Sequence, residues 1–96
     1  MLKPVEKEVL DILQEECAEV VVAVSKISRF GLDNFKPGKP KTNREHLAEE
    51  LGDLQAMIDL CIEFGIVGSE QVSVHADNKI MKLKQWSNIF NEKTSS

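Results

Sequence analysis

The apolar residues of the first third of the chain recur at spacings of three and four positions. Between Pro4 and Phe30 this set comprises Val5, Val9, Ile12, Leu13, Val20, Ala23, Val24 and Ile27. Such spacing places side chains on one face of an α-helix, and a proline suits the first helical turn. The pattern predicts a long amphipathic helix over about residues 4–30.

Two further stretches show the same periodicity. Thr42 and Glu45 have the spacing of a capping box, and an apolar stripe follows at Leu47, Leu51, Leu54, Ile58, Cys61 and Ile62. Gly65 and Gly68 interrupt it, after which Val72, Ala76, Ile80, Leu83 and Phe90 resume helical spacing. These patterns predict helices over about 42–64 and 69–90, followed by a polar tail at 91–96.

The segment between the first two helices is predicted to be a loop. Residues 31–41 read GLDNFKPGKPK and hold two of the three prolines and two of the five glycines. No segment alternates like a β-strand, so the fold class is expected to be all-α with three main helices. The apolar run VVVAV is wider than two neighbouring helices would cover, which favours assembly of several chains into an oligomeric helical bundle.

Composition narrows the class of protein. With 96 residues, 42% of them hydrophobic and 29% charged, the chain fits a single folded domain over 1–96. No apolar run approaches the roughly 20 residues that a membrane helix needs. No membrane association is therefore expected, and the acidic N-terminal segment lacks the pattern of an export signal, so the expected location is cytoplasmic.

The net charge of −4 argues against binding to a nucleic acid polymer, because such binding needs a clustered basic surface. An acidic protein that handles phosphates needs metal ions to offset the repulsion.

Four acids occupy unusual positions. At about 100° per residue, Glu16 falls inside the apolar arc of the first helix and Glu19 at its edge. Glu50 falls inside the apolar stripe of the second helix, with Asp53 on its flank. Withdrawing a carboxylate from water costs several kcal/mol, so positive charge is expected nearby.

The spacing of these acids suits a divalent cation. Glu-x-x-Glu and Glu-x-x-Asp each project two carboxylates from one face of a helix, and two antiparallel helices can then surround Mg²⁺ or Mn²⁺ with oxygen ligands. The plainer alternative is a set of ion-paired charges at the rim of a bundle. A ferritin-like di-iron centre is disfavoured, because neither His46 nor His75 has a glutamate three residues before it.

The run Glu15-Glu16-Cys17-Ala18-Glu19, followed after a loop by Glu50-Leu51-Gly52-Asp53, resembles the EExxE and ExxD motifs of the MazG-like nucleoside triphosphate pyrophosphohydrolases. The resemblance covers the first two helices, and the third is expected to belong to it. It implies an all-α homodimer or homotetramer that cleaves ribo- or deoxyribonucleoside triphosphates to monophosphate and pyrophosphate. It also implies two or more Mg²⁺ ions per site, with Mn²⁺ as a substitute.

By motif position, the resemblance makes Glu16, Glu19, Glu50 and Asp53 the metal ligands. It leaves Glu15 as an additional ligand or a plain surface acid. Glu16 or Glu19 would help to hold the attacking water and would thus be catalytic. No protein nucleophile is required.

The residues expected to contact substrate are Lys79, Asn78, Lys82, His46, Ile12, Phe35 and Trp86. The family tends to place basic residues on the third helix, and Lys79 is the first choice there. Leu83 stands where relatives carry a second base, which is a departure from the pattern. His46 lies one turn before Glu50, where a hydrogen bond to a metal-binding carboxylate, contact with phosphate or packing at the helix start is expected. Phe35 and Trp86 are candidates to stack on a base.

The loop carries Lys36, Lys39 and Lys41 and is expected either to cover the substrate or simply to be solvated. The alternative to an enzyme is a non-catalytic helical oligomer, an interaction module whose inward acids meet basic residues of a partner.

Overall fold

The described part of the chain is helical. A computed structural model describes residues 1–34 and 37–91. Its helices are α1, Pro4–Phe30, α2, Asn43–Glu63, and α3, Ser69–Trp86. A short helical segment follows at 89–91, and the described residues include no β-strand. The predicted all-α class is confirmed.

The chain divides into two compact units. The first, Met1–Ile66, contains α1 and α2, and the second begins at Val67 and contains α3. The expectation of a single domain over 1–96 stays a prediction. None of the helices in the described ranges is both long enough and apolar enough to span a bilayer.

The first unit is an antiparallel pair of helices with a narrow core. Val9 of α1 packs with Met57 and Cys61 of α2, and each of these side chains is less than a tenth exposed. Half-buried apolar neighbours surround them, namely Leu10, Ile12, Leu13, Leu60 and Ile66. Because Ile66 follows the end of α2 and Val9 lies near the start of α1, the two helices run in opposite directions.

The loop is tied to the start of α2 at the other end of the pair. The backbone N–H groups of Asn43 and Arg44 donate to the carbonyls of Asn34 and Leu32 at 3.0 and 2.8 Å. The Arg44 guanidinium also donates to both carboxylate oxygens of Asp33, at 3.1 and 3.3 Å, which lowers the pKa of that acid. These bonds fix the direction in which the chain turns from α1 into α2.

Both ends of α2 carry the local signals that its sequence predicted. Thr42 Oγ1 accepts the N–H of Glu45 at 3.2 Å, and Glu45 Oε1 accepts the N–H of Thr42 at 3.1 Å. At the other end, Gly65 donates to the carbonyl of Ile62 and Ile66 donates to the carbonyl of Cys61, which is the Schellman arrangement. This motif carries the Ile66 side chain into the core.

In the second unit, α3 ends earlier than the periodicity predicted. It stops at Trp86 rather than near residue 90. Ser87 adopts an extended conformation, its hydroxyl donates to the Leu83 carbonyl at 2.6 Å, and the same oxygen accepts the N–H of Ile89 at 3.3 Å. A serine that bonds locally to the backbone competes with continuation of the helix. Of the predicted polar tail at 91–96, residues 92–96 lie outside the described residues.

We predict opposite effects of one substitution at two glycines of the α2 region. Gly65 has φ +73°, so Gly65→Ala should lower the free energy of unfolding by about 1 kcal/mol. Gly52 lies inside α2 with nothing within 4 Å of an added Cβ, so Gly52→Ala should raise it by about 0.5–1 kcal/mol. Urea unfolding measures both, and a shift of the same sign in the two variants would contradict the assigned backbone conformations.

Candidate metal centre

Glu50 is the most buried charged side chain among the described residues. Only 8% of the residue is exposed, and Met57 and Cys61, the buried apolar residues of α2, lie seven and eleven positions further along the helix. This placement follows from sequence, because residues seven and eleven positions later return to the same face of the helix. The packing of α1 against α2 therefore closes over a carboxylate as well as over apolar groups.

Glu50 meets two other acids at the helix pair. Glu16 of α1, Glu50 and Asp53 each offer a carboxylate oxygen, and these three atoms lie within 4.8 Å of one another. We refer to Glu16, Glu50 and Asp53 as the carboxylate triad. Glu16 is half-buried and Asp53 is exposed, so the triad runs from the interior of the helix pair to solvent.

The dimensions of the triad suit a divalent cation. Oxygen ligands bound at 2.0–2.1 Å around octahedral Mg²⁺ lie about 2.9–4.2 Å apart, and the longer bonds to Ca²⁺ allow somewhat more. An upper separation of 4.8 Å therefore needs only a slight inward adjustment of carboxylate rotamers. The triad also leaves coordination positions for water or for a ligand, because it supplies only three side chains.

The electrostatics of the triad favour an added positive charge. The pKa of Glu16 is raised above its ordinary value, first by partial burial and then by the charges of Asp53, Glu50, Glu19 and Glu15. Like charges held close together disfavour ionisation, and a bound cation reverses that effect. No lysine or arginine is paired with the triad among the described residues.

His46 supports the most buried member of the triad. Its Nε2 lies 3.2 Å from Glu50 Oε1, one helical turn away on α2, and both side chains are mostly covered. Hydrogen-bonding groups of this kind orient the carboxylates that hold metals. This contact is one of the three roles that the sequence left open for His46, and its contact with a substrate stays a prediction.

The other predicted ligands are placed differently. Glu19 and Glu15 are exposed on α1 and lie outside the triad, although their charges act on Glu16. Their roles as metal ligands stay predictions.

The predicted substrate contacts are distributed over both units. Ile12 packs against the core formed by Val9, Met57 and Cys61, so its first role is structural. Phe35 lies outside the described residues. The remaining candidates are exposed on α3 in the second unit, and they are Asn78, Lys79, Lys82 and Trp86. Their contact with a substrate stays a prediction.

A pocket of opposite character adjoins the triad. It has a volume of about 410 Å³ and is lined by Lys26, Lys39, Pro40, Lys41, Asn43 and His46. We call it the basic pocket. His46 joins the two features, because it lines the pocket and contacts Glu50. On sequence grounds, the loop lysines Lys39 and Lys41 were candidates to cover the substrate. Lys26 was missed, and its only signal in the sequence is its position seven residues after Glu19.

Comparisons of the chain with family models, with curated proteins and with solved structures give no match. The function is therefore argued from the triad, the basic pocket and the motifs.

We predict that Glu16→Gln stabilises the protein when divalent metals are removed. Because the folded chain raises the pKa of Glu16 above 4.5, it holds this proton more tightly than the unfolded chain does. The contribution of this bound proton to the free energy of unfolding is fully present below pH 4.5, and it is lost as the pH rises through the folded-state pKa of Glu16. The glutamine, neutral throughout, should therefore exceed wild type in stability at pH 7, with a difference that shrinks toward pH 4.5.

Urea unfolding in EDTA at several pH values measures this difference. The matched control is Glu8→Gln, the same change at an exposed acid of α1 outside the triad. A gain at pH 7 no larger than that of the control would contradict the mutual repulsion described here.

Proposed function

We propose that this chain is a metal-dependent pyrophosphohydrolase of the MazG-like type. It would cleave ribo- or deoxyribonucleoside triphosphates in the cytoplasm to a monophosphate and pyrophosphate. The observation that carries the proposal is the convergence of Glu16, Glu50 and Asp53 across two helices, with Glu50 buried. These acids are the residues at which the chain resembles the EExxE and ExxD motifs.

The cost of burying Glu50 is the physical argument for a metal. A helix pair with so few buried apolar side chains gains little free energy from its core, so it can hardly offset the desolvation of an uncompensated carboxylate. Oxygen ligands from Glu and Asp are those that Mg²⁺ and Mn²⁺ prefer. When bound, such ions neutralise phosphate charge and make a bound water more acidic.

The acids can divide the chemistry between them. In the hydrolysis, a new bond joins a water oxygen to the α-phosphorus while the bond from that phosphorus to the bridging oxygen breaks, so pyrophosphate leaves. Glu16, Glu50 and Asp53 would hold the metal ions. Glu19, exposed beside Glu16 and outside the triad, is free to accept the proton of the water.

The proposal includes a homodimer or homotetramer. Val21, Val22 and Val24 of α1 remain 68%, 46% and 50% exposed in the single chain. Together they form an apolar surface on the long helix that a second copy would cover. The same exposure favours the competing function, a non-catalytic helical interaction module.

We predict that Glu50→Gln removes both metal-dependent stabilisation and hydrolysis. In wild type, Mg²⁺ at 100 times its Kd should raise the free energy of unfolding by about 2.7 kcal/mol. Loss of a ligand should reduce hydrolysis by more than the roughly 10–100-fold that follows removal of a group supporting a metal ligand. Thermal melts with Mg²⁺ or EDTA, and ³¹P NMR of products from a panel of nucleoside triphosphates, measure the two effects.

The matched control is Glu63→Gln, which makes the same change at an exposed acid of α2 and should behave like wild type. Melting temperatures that ignore both Mg²⁺ and Mn²⁺ would favour the interaction module. Release of orthophosphate and a diphosphate would contradict the proposed bond.

We predict that Val21→Glu shifts the protein toward smaller assemblies. A carboxylate within a covered apolar surface must lose its hydration, which opposes association. Light scattering coupled to size-exclusion chromatography reports the mass. Ser73→Glu, the same added charge at an exposed position of α3, is the control, and equal masses for both variants and wild type would exclude Val21 from the interface.

A further inference from the structure

The basic pocket concentrates positive charge in an acidic chain. Lys26 comes from α1, Lys39 and Lys41 from the loop, and His46 from α2. Among the residues that the structure describes, no carboxylate lines the pocket, although the chain has 16 acids against 12 lysines and arginines. Three ammonium groups held around one concavity repel one another unless an anion lies between them.

The three lysines are not equivalent. Lys41 forms an ion pair with Glu49, and that hydrogen bond raises the pKa of Lys41. Lys26 and Lys39 have no ion pair with any described residue. Two uncompensated cations therefore remain to meet a ligand.

The backbone around the pocket favours a formed site. Pro40 lines it, and a residue before a proline is biased toward an extended conformation, which limits the positions open to Lys39. Asn43 is fixed because its Nδ2 donates to the Gly31 carbonyl at 2.9 Å. Both segments therefore lose little conformational entropy when a ligand binds.

The start of α2 adds a favourable field but no amide contacts. The first N–H groups of the helix are already used, since Asn43 and Arg44 donate to loop carbonyls and Glu45 donates to Thr42. Only the helix dipole remains to act on an anion there. Recognition must therefore come from the side chains of Lys26, Lys39 and His46.

The position of the pocket indicates which anion it takes. His46 contacts Glu50 of the triad and also lines the pocket, so the two features share a residue. We infer that the basic pocket binds a pyrophosphate group, the part of the substrate that leaves, while the triad holds the metal at the phosphate that is attacked. Assigning this anion as the leaving group rests on the proposed function.

The test is titration of the full-length protein with inorganic pyrophosphate, followed by ³¹P NMR or calorimetry, in Mg²⁺ and in EDTA. The double variant Lys26→Gln, Lys39→Gln should bind pyrophosphate at least about tenfold more weakly in Mg²⁺, because it loses two charged hydrogen bonds. The double variant Lys26→Arg, Lys39→Arg should retain binding. Lys3→Gln with Lys7→Gln removes the same net charge and should leave binding unchanged, because Lys7 lies roughly 28 Å from Lys26 along α1 and Lys3 lies farther still.

Several results would overturn the inference. One is equal weakening of pyrophosphate binding in the two glutamine double variants. Another is equal affinity of wild type for sulfate and for pyrophosphate. The third is displacement of pyrophosphate by a single-stranded oligonucleotide at a lower concentration than by a nucleoside triphosphate. Failure of the proposed function is seen separately. The distinguishing result is a wild type that binds pyrophosphate without hydrolysing any triphosphate, with binding weakened only in the Lys26→Gln, Lys39→Gln variant. That result would support the pyrophosphate site and contradict the proposed hydrolase.

Discussion

The structure of the first unit depends on a carboxylate that α1 and α2 bury between them. Glu50 is 8% exposed, and the other buried residues among those described are Val9, Ala23, Met57 and Cys61. An ionised group buried between two helices destabilises the helix pair unless an opposite charge or hydrogen bonds compensate it. His46 supplies one contact at 3.2 Å, while Glu16 and Asp53 add negative charge beside it. These three acids could together hold a metal ion, which would offset their negative charge.

The hairpin also separates charge of opposite sign. Acids of α1 and α2 converge in the triad, whereas lysines of α1 and the loop converge in the basic pocket. The bonds from Asp33 and Asn34 to the start of α2 hold the loop against that helix and so maintain the pocket. The proposed substrate, a nucleoside triphosphate with a divalent metal, would present a cation to the acids and free anionic oxygens to the lysines.

Because the core is narrow, local hydrogen bonds at the helix ends matter for the stability of the helices. The capping box at Thr42 and the Schellman turn at Gly65 satisfy backbone groups that tertiary packing does not reach. In the second unit, α3 has no fully buried residue within its described length, and its apolar side chains stay largely at the surface. Isolated helices of that length are marginal in water, and the proposed association of several chains would cover exposed apolar side chains.

The sequence by itself determined where the helices lie, because apolar periodicity and capping residues act within a few positions of the chain. It placed α1 at 4–30 and marked Thr42 and Gly65 as the limits of α2, but local bonding by Ser87 ended α3 before its periodicity did. It also identified Glu16 and Glu50 as acids within apolar faces. Only the tertiary structure decided which of the four predicted acids meet, namely Glu16, Glu50 and Asp53 without Glu19, and that Lys26 and Lys39 line one pocket. Those meetings depend on the register in which α1 packs against α2, and the pattern along one helix carries no information about the register of two.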